Sequence, residues 1–232
     1  MTDTDAALWC VVPAAGRGTR VGSGIPKQYL PLAGKPLLQR TLDRLAAHPS
    51  VAGLMVVLAA DDTHWPNIGL PGIPVLTAIG GAERADSVLA GLHALRAKVA
   101  DGNFVLVHDA ARPCVRAGDI SRLLDFGIPA GGALLAAPLR DTLKRADTQN
   151  CSVATEPREA RWRALTPQLF RYGELVAALE SARAAGIAVT DEAMAMERMG
   201  YRPLLVEGAE SNIKVTTPAD FALAEFLLER GN

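Results

Sequence analysis

The chain has 232 residues, 49% of them hydrophobic and 21% charged, which suits one globular domain with a substantial core. Its formal net charge of −1 excludes a general nucleic-acid binder, since such proteins carry a basic excess to neutralise phosphates. Three cysteines without paired metal-ligand spacing exclude a disulfide framework, MTDTDAALW is no signal peptide, and the longest apolar run, VAGLMVVLAA, is too short to span a bilayer; the expectation is a cytoplasmic protein with no membrane partner.

In chain order, LWCVVPA reads as a buried strand, and PLLQRTLDRLAAH as a helix with Leu37, Leu38, Leu42 and Leu45 on one face. VAGLMVVLA is a continuous apolar run, as a strand covered on both faces should be. IPVLTAI gives another strand, followed by a helix over ERADSVLAGLHALRAKV, where Val88, Leu89, Leu92 and Leu95 recur at helical spacing. NFVLVHD is a further buried strand, DISRLLDFG reads as helix and GGALLAAPL as strand. From Arg140 to Arg163 the rhythm stops. RDTLKRADTQNCSVATEPREARWR has too few large apolar residues for a core element, yet lacks the Gly/Ser bias of a linker. Alternation resumes in GELVAALESARAAG, DEAMAMERMG, RPLLVEG and PADFALAEFLLERG. This pattern predicts an α/β fold. One Rossmann-like domain over residues 1–232 would carry a mostly parallel twisted sheet with helices on both faces, and residues 138–163 would project as an arm.

The stretch VVPAAGRGTRVGSGIPKQYLPLAGKPLLQ leaves the first strand for glycines and cations. It is not a P-loop, because Thr19 and Arg20 follow Gly18 where Lys-Ser/Thr would be needed. Nor is it the dinucleotide fingerprint, because Val21 takes the place of the third glycine. What remains is a nest of backbone N–H groups at Ala14, Ala15, Gly16 and Gly18, able to hold an anion, with Arg20 and Lys27 adding fixed charge. Gly16 and Gly18 would permit positive φ and close approach of a ligand. The loop follows a strand at the edge where α/β sheets bind ligands, which favours an anion site over a surface loop of solvated cations.

VVPAAGRGTR followed by PKQYLPLAGKPLL resembles the signature of nucleotidyltransferases that join a nucleoside triphosphate to a sugar or polyol phosphate, a superfamily of glycosyltransferase-A-like fold. GGAERADSVLAGL, VLVHDAARPC, RALTPQLF, TDEAMAME and NIKVTTPAD then follow in order. From Val11 to Leu227 the chain resembles the 2-C-methyl-D-erythritol 4-phosphate cytidylyltransferase family of the non-mevalonate isoprenoid pathway. The glycine loop marks only the superfamily, whereas HDAARP and LTPQ narrow it to the family. The resemblance implies transfer of CMP from CTP to methylerythritol phosphate, releasing pyrophosphate.

That reaction explains the residue inventory. A phosphate monoester, with its second pKa near ~6, arrives largely dianionic and needs no general base. The difficulty is bringing an anion to a triphosphate, so cations must hold both and neutralise charge developing at the α-phosphorus. Arg20, with its planar fork, and Lys27, a compact point charge, are the expected transition-state stabilisers. Magnesium is implied as a cofactor held mainly by the CTP phosphates and water, with no protein ligand set announcing itself. By resemblance, Ala14, Ala15, Gly16, Gly18, Gly80, Gly81 and Ser87 bind CTP, and relatives often carry an aspartate where this chain has Ala82. Asp109 would receive the acceptor hydroxyls with Arg112 in support; Thr142, Thr166 and Thr190 match further acceptor contacts, though Thr190 also reads as a helix N-cap. Arg158 and Lys214 would clamp the attacking phosphate, and His108 reads as a packed histidine.

The family uses the polar stretch as an arm embracing a second subunit, so the resemblance implies a homodimer with shared active sites. Two rivals stay open at this point. A ribitol-5-phosphate cytidylyltransferase or sugar-1-phosphate nucleotidyltransferase shares the glycine loop and is told apart by Arg158, Thr166 and Lys214. A non-catalytic nucleotide-binding module is expected to lose Arg20, Lys27 or Lys214, all of which this chain keeps.

Overall fold

In the computed structural model, which describes residues 7–16 and 25–231, the first apolar run becomes β1 (Leu8–Pro13). A short hairpin of β2 (Pro31–Leu32) and β3 (Lys35–Pro36) leads into α1 (Leu37–Ala46) and β4 (Val51–Leu58). Then come β5 (Val75–Ile79), α2 (Arg84–Ala94), β6 (Phe104–Val107), α3 (Ala117–Ala130) and β7 (Gly132–Pro138). The polar stretch holds β8 (Leu143–Ala146) and β9 (Ser152–Glu156), followed by β10 (Trp162–Arg171) and α4 (Tyr172–Ala184). The chain ends with α5 (Glu192–Arg198), β11 (Leu204–Glu207) and α6 (Pro218–Glu229).

The seven-stranded sheet has the order β11-β7-β10-β6-β1-β4-β5. β1 lies parallel to β4 and β6, β4 to β5, and β11 to β7, while β10 is antiparallel to both its neighbours. Residues of the central strands alternate between two cores. Cys10 and Val12 of β1, with Leu54 and Val56 of β4, pack among Leu38 and Leu42 of α1 and Ile120 and Leu123 of α3. Trp9, Val11, Met55 and Val57 face the other way, onto Val88 and Leu92 of α2 and Leu175 and Leu179 of α4. Covering on both faces is why these strands read as unbroken apolar runs. Gly91 lets α2 settle closely, since a Cβ there would lie 2.7 Å from Val57 and 2.8 Å from Val11.

Two regions go beyond the sequence expectation. β10 has no counterpart in it, because Pro167 and Gln168 interrupt its apolar pattern. Its pairing with β7 breaks between Ala164 and Gln168, so Pro167 falls at an irregularity where a missing N–H costs no ladder bond. The polar stretch builds no core, as expected, but β8 and β9 pair as a hairpin. Cross-strand bonds from Lys144 to Thr155 and from Arg145 to Glu156 hold its exposed surface.

The strand order reverses at β1, with β4 and β5 to one side and β6 to the other. In a parallel sheet such a reversal opens a crevice at the carboxyl ends of the strands. A third cluster closes the sheet there, where α6 residues Phe221 and Ala224 pack on Leu32, Leu37, Ala111 and Val215.

Candidate active site

The crevice at the ends of β1 and β6 is a cleft of about 250 Å³, bordered by Ala14, Ala15, Gly16, Lys27, Gly81, Arg84, Ser87, Asp109 and Lys214. Ala14 closes the strand and does not open the nest. Its N–H donates to the Val57 carbonyl at 2.8 Å, and its own carbonyl accepts from Gln28 Nε2 at 2.8 Å. The expectation of an anion-binding N–H at Ala14 is therefore corrected, because the sheet has already taken that donor. The N–H groups of Ala15 and Gly16 have no partner among the described residues. Gly16 does not use a positive φ, a second correction; a Cβ there would meet nothing within 4 Å, so its value is open space beside the cleft. Gly18 and Arg20 lie outside the described residues.

Across the cleft, the start of α2 approaches the β1 loop through two glycines. A Cβ on Gly80 would lie 2.6 Å from Ser87 Oγ and 2.7 Å from the Ala15 Cβ; one on Gly81 would lie 2.4 Å from the Asp86 Cβ. Gly81 borders the cleft, while Gly80 supports it from behind, its N–H bonded to Leu58. Ser87 is buried, and its hydroxyl donates to the Glu83 carbonyl at 3.2 Å.

Lys27 opens a single 3-10 turn, Lys27–Tyr29, that is pinned at each residue. Lys27 Nζ donates to the Val215 carbonyl at 2.5 Å, Gln28 holds Ala14, and the Tyr29 hydroxyl donates to Asp62 at 2.6 Å. Val215 in turn donates to the Ala111 carbonyl, which carries Lys214 over to Asp109. Asp109 is the electrostatic centre. Its Oδ1 meets Arg84 Nε at 2.9 Å, and its Oδ2 meets Lys214 Nζ at 3.0 Å and Arg112 Nε at 3.4 Å. Burial works against its charge, but the Arg84, Lys214 and Arg112 cations outweigh it and hold the carboxyl well below the usual range. Arg112 is fastened by donating to the Asn212 carbonyl at 2.7 Å. Behind Arg84 lies Glu192, fully buried, with both oxygens bonded by the guanidinium at 2.7 and 3.0 Å.

Beneath Asp109 runs a directed chain of hydrogen bonds. The Asp109 N–H donates to Thr166 Oγ1 at 3.1 Å, and Thr166 Oγ1 lies 3.0 Å from His108 Nδ1. His108 Nε2 lies 3.0 Å from the Arg112 carbonyl, which can only accept. The proton therefore sits on Nε2, and the Thr166 hydroxyl donates to Nδ1. Burial pushes the His108 pKa down to about 4, so the ring is neutral.

The cleft thus gathers Lys27, Lys214, Asp109, Gly81 and Ser87, with Thr166 and Arg112 bonded to Asp109 from behind. It does not gather Thr142 or Arg158. Both border a separate pocket of about 360 Å³ on the arm, where Arg158 donates to the Arg140 carbonyl. Thr190 is exposed and touches the Met194 sulfur at 3.6 Å. It is not a cap: Asp191 caps α5, accepting the Met194 N–H at 2.9 Å, because α5 starts one residue later than a cap at Thr190 would require. Arg84 and Glu192 are the site residues that sequence reasoning missed. Each lies inside a motif that the sequence singles out, but nothing in one chain of letters joins positions 108 apart. Among the described residues no group of three or more His, Cys, Asp or Glu is placed to hold a metal ion, and no helix is long and apolar enough to cross a membrane.

Comparison with known proteins adds an independent line. The family model described as 2-C-methyl-D-erythritol 4-phosphate cytidylyltransferase matches residues 8–230. The enzyme of that name from Stenotrophomonas maltophilia (strain K279a) is 62% identical over 97% of this chain and 98% of its own length. The one from Xanthomonas euvesicatoria pv. vesicatoria is 60% identical over 97% of this chain and 86% of its own. Among solved structures, the enzyme of that name from Francisella tularensis superposes with a TM-score of 0.84 at 32% identity, covering 96% of this chain and 100% of its own. That from Thermus thermophilus gives 0.79 at 33%, covering 96% and 99%. Sequence and fold agree along nearly the whole chain, and the chain belongs to the 2-C-methyl-D-erythritol 4-phosphate cytidylyltransferase family, transferring the cytidylyl group of CTP in isoprenoid precursor synthesis.

Proposed function

We propose that the cleft performs this transfer with a division of labour between its two walls. The observation that carries the reading is the cluster of Asp109, Arg84, Arg112 and Lys214 in one cleft with Lys27, whose Nζ is bonded to the carbonyl of Val215, the residue after Lys214. Among the described residues, Lys27 and this cluster bring four cations together, against the three carboxylates of Asp109, Glu192 and the exposed Glu83, leaving a single net positive charge for incoming phosphates. The triphosphate lies along the Ala15 and Gly16 N–H groups and Lys27, with Arg20 added from the loop. The base lies toward Gly81, Ala82 and Ser87. At the end of β6, Asp109 stays ionised and accepts hydrogen bonds from acceptor hydroxyls, while Lys214 beside it takes the acceptor phosphate. The dianionic phosphate oxygen then attacks the α-phosphorus in line, and pyrophosphate leaves with its charge held by the loop cations.

Magnesium fits this cleft as a passenger of the triphosphate. The described residues offer no cage of three or more carboxylate, imidazole or thiolate groups, so its ligands would be phosphate oxygens and water, and it would supply charge neutralisation there. Arg158 and Thr142, grouped on the arm, act on the acceptor bound by a second copy of the chain, in a two-fold dimer. Cys10 and Cys114 are buried free thiols and Cys151 an exposed one, which suits the reducing cytoplasm.

Replacement Lys27→Ala tests the triphosphate wall. The expected outcome is a kcat lower by about 2–4 kcal/mol in activation free energy, with CTP binding changed far less. Normal turnover with only a raised CTP KM would make Lys27 a ground-state binder.

A further inference from the structure

Glu192 is a fully buried carboxylate that does not border the cleft. Burying a charge pair costs desolvation, and an apolar pair of similar volume serves stability as well or better, so Glu192 asks for another reason. Its carboxylate is bound by Arg84, which spends two N–H groups on the two Glu192 oxygens and its Nε on Asp109 Oδ1. Two bonds to one carboxylate fix the plane of the guanidinium, and the third then points at Asp109 in one direction only. With Oδ1 taken by Arg84, the Asp109 carboxylate is turned so that Oδ2 meets both Lys214 and Arg112. Lys214 is the half-exposed member of the group, and its place depends on that oxygen. On the far side of Asp109 the neutral His108 and Thr166 hold the backbone but add no charge.

We infer that Glu192, acting through Arg84, is a positioning residue for the acceptor wall: it aims the Asp109 carboxylate and, through it, the Lys214 ammonium. This rests on Asp109 being the acceptor-binding group. A lysine at position 84 would keep the charge but lack the planar fork that spans two carboxylates, so charge alone does not reproduce the arrangement.

The test is the KM for each substrate, with kcat, in Glu192→Gln, Asp109→Asn, the combination of both, and the apolar pair Arg84→Met/Glu192→Leu. Glu192→Gln should raise the acceptor KM about tenfold, the scale of coupling within one hydrogen-bonded network, and leave the CTP KM unchanged. Asp109→Asn should raise it further, and adding Glu192→Gln to Asp109→Asn should cost nothing more, because the route through Asp109 is already lost. The apolar pair leaves no unpaired buried charge, so it reports even where Glu192→Gln folds poorly, and it should melt normally yet show the acceptor defect. Arg84→Lys, which keeps the charge but not the fork, should show the acceptor defect as well. A wild-type acceptor KM in Glu192→Gln or the apolar pair, equal losses for both substrates, or full additivity with Asp109→Asn would overturn the inference. An unchanged acceptor KM in Asp109→Asn alone would instead sink the reading of Asp109 itself.

Discussion

His108 reads from sequence as a packed histidine between VLV and Asp109, and the structure gives that reading its physics. The ring is fully buried, bonded at both nitrogens, and held neutral with a pKa of about 4 against an ordinary 6.5. Because the unfolded chain binds the proton first, His108 costs nothing above pH 6.5, and stability falls as pH drops from 6.5 towards 4, by on the order of 3 kcal/mol. Melting curves across that window should show the slope in the wild type. His108→Asn should start lower at neutral pH yet lose most of the slope; an unchanged slope would mean other groups carry it. Neighbouring residues were less legible. Ala14 looked like part of an anion nest because its letter cannot reveal that Val57 already takes its N–H. Asp109 and Lys214 were legible as candidates, but Arg84 and Glu192 were not, since the ion pair that joins them exists only after α2 and α5 have docked.

At the scale of elements, α6 shows how a helix that does not line the cleft serves it. Its start carries a reciprocal cap, in which Asp220 Oδ2 accepts from Thr217 N–H at 2.7 Å and from Thr216 N–H and hydroxyl at 2.8 Å, while Thr217 accepts from Asp220. Slight burial opposes the Asp220 charge, and the bonds from Thr216 and Thr217 outweigh it, pulling the pKa down to about 2. The contribution is therefore present above about pH 4, the unfolded value, and lost as pH falls toward 2. Asp220→Asn should cost about 1 kcal/mol at pH 6, and less at pH 3, in denaturant unfolding. An equal difference at both pH values would show that charge is not what the cap uses. Because α6 packs on Val215, a frayed α6 start also loosens the segment that carries Lys214. The helices and parallel strands were readable because their apolar residues recur at 3.6 spacing or in unbroken runs. β10 was hidden because its pairing is antiparallel and broken at Pro167, features that sequence periodicity does not carry.

For the whole molecule, the alternation of strands and helices was legible apart from β10 and the β8–β9 hairpin, and so was a ligand loop at the carboxyl end of β1; the reversal of strand order beside it was not, because pairing order is not written in periodicity. What one chain does not gather is Arg158, which sits with Thr142 on the arm and away from Asp109. The hairpin of the arm is mostly exposed, and residues such as Val153 lack a core of their own to join. We propose that two chains complete each other's cleft, Arg158 of one serving the cleft of its neighbour. The direct measurement is pyrophosphate release from CTP and methylerythritol phosphate by a purified mixed dimer of a Lys27→Ala chain and an Arg158→Ala chain, each expected to be nearly inactive as a homodimer. If Arg158 works across the interface, the subunit that keeps Lys27 receives an intact Arg158, and one of the two sites revives. If Arg158 serves its own chain, both sites stay broken, and a mixed dimer no more active than its parents contradicts the account.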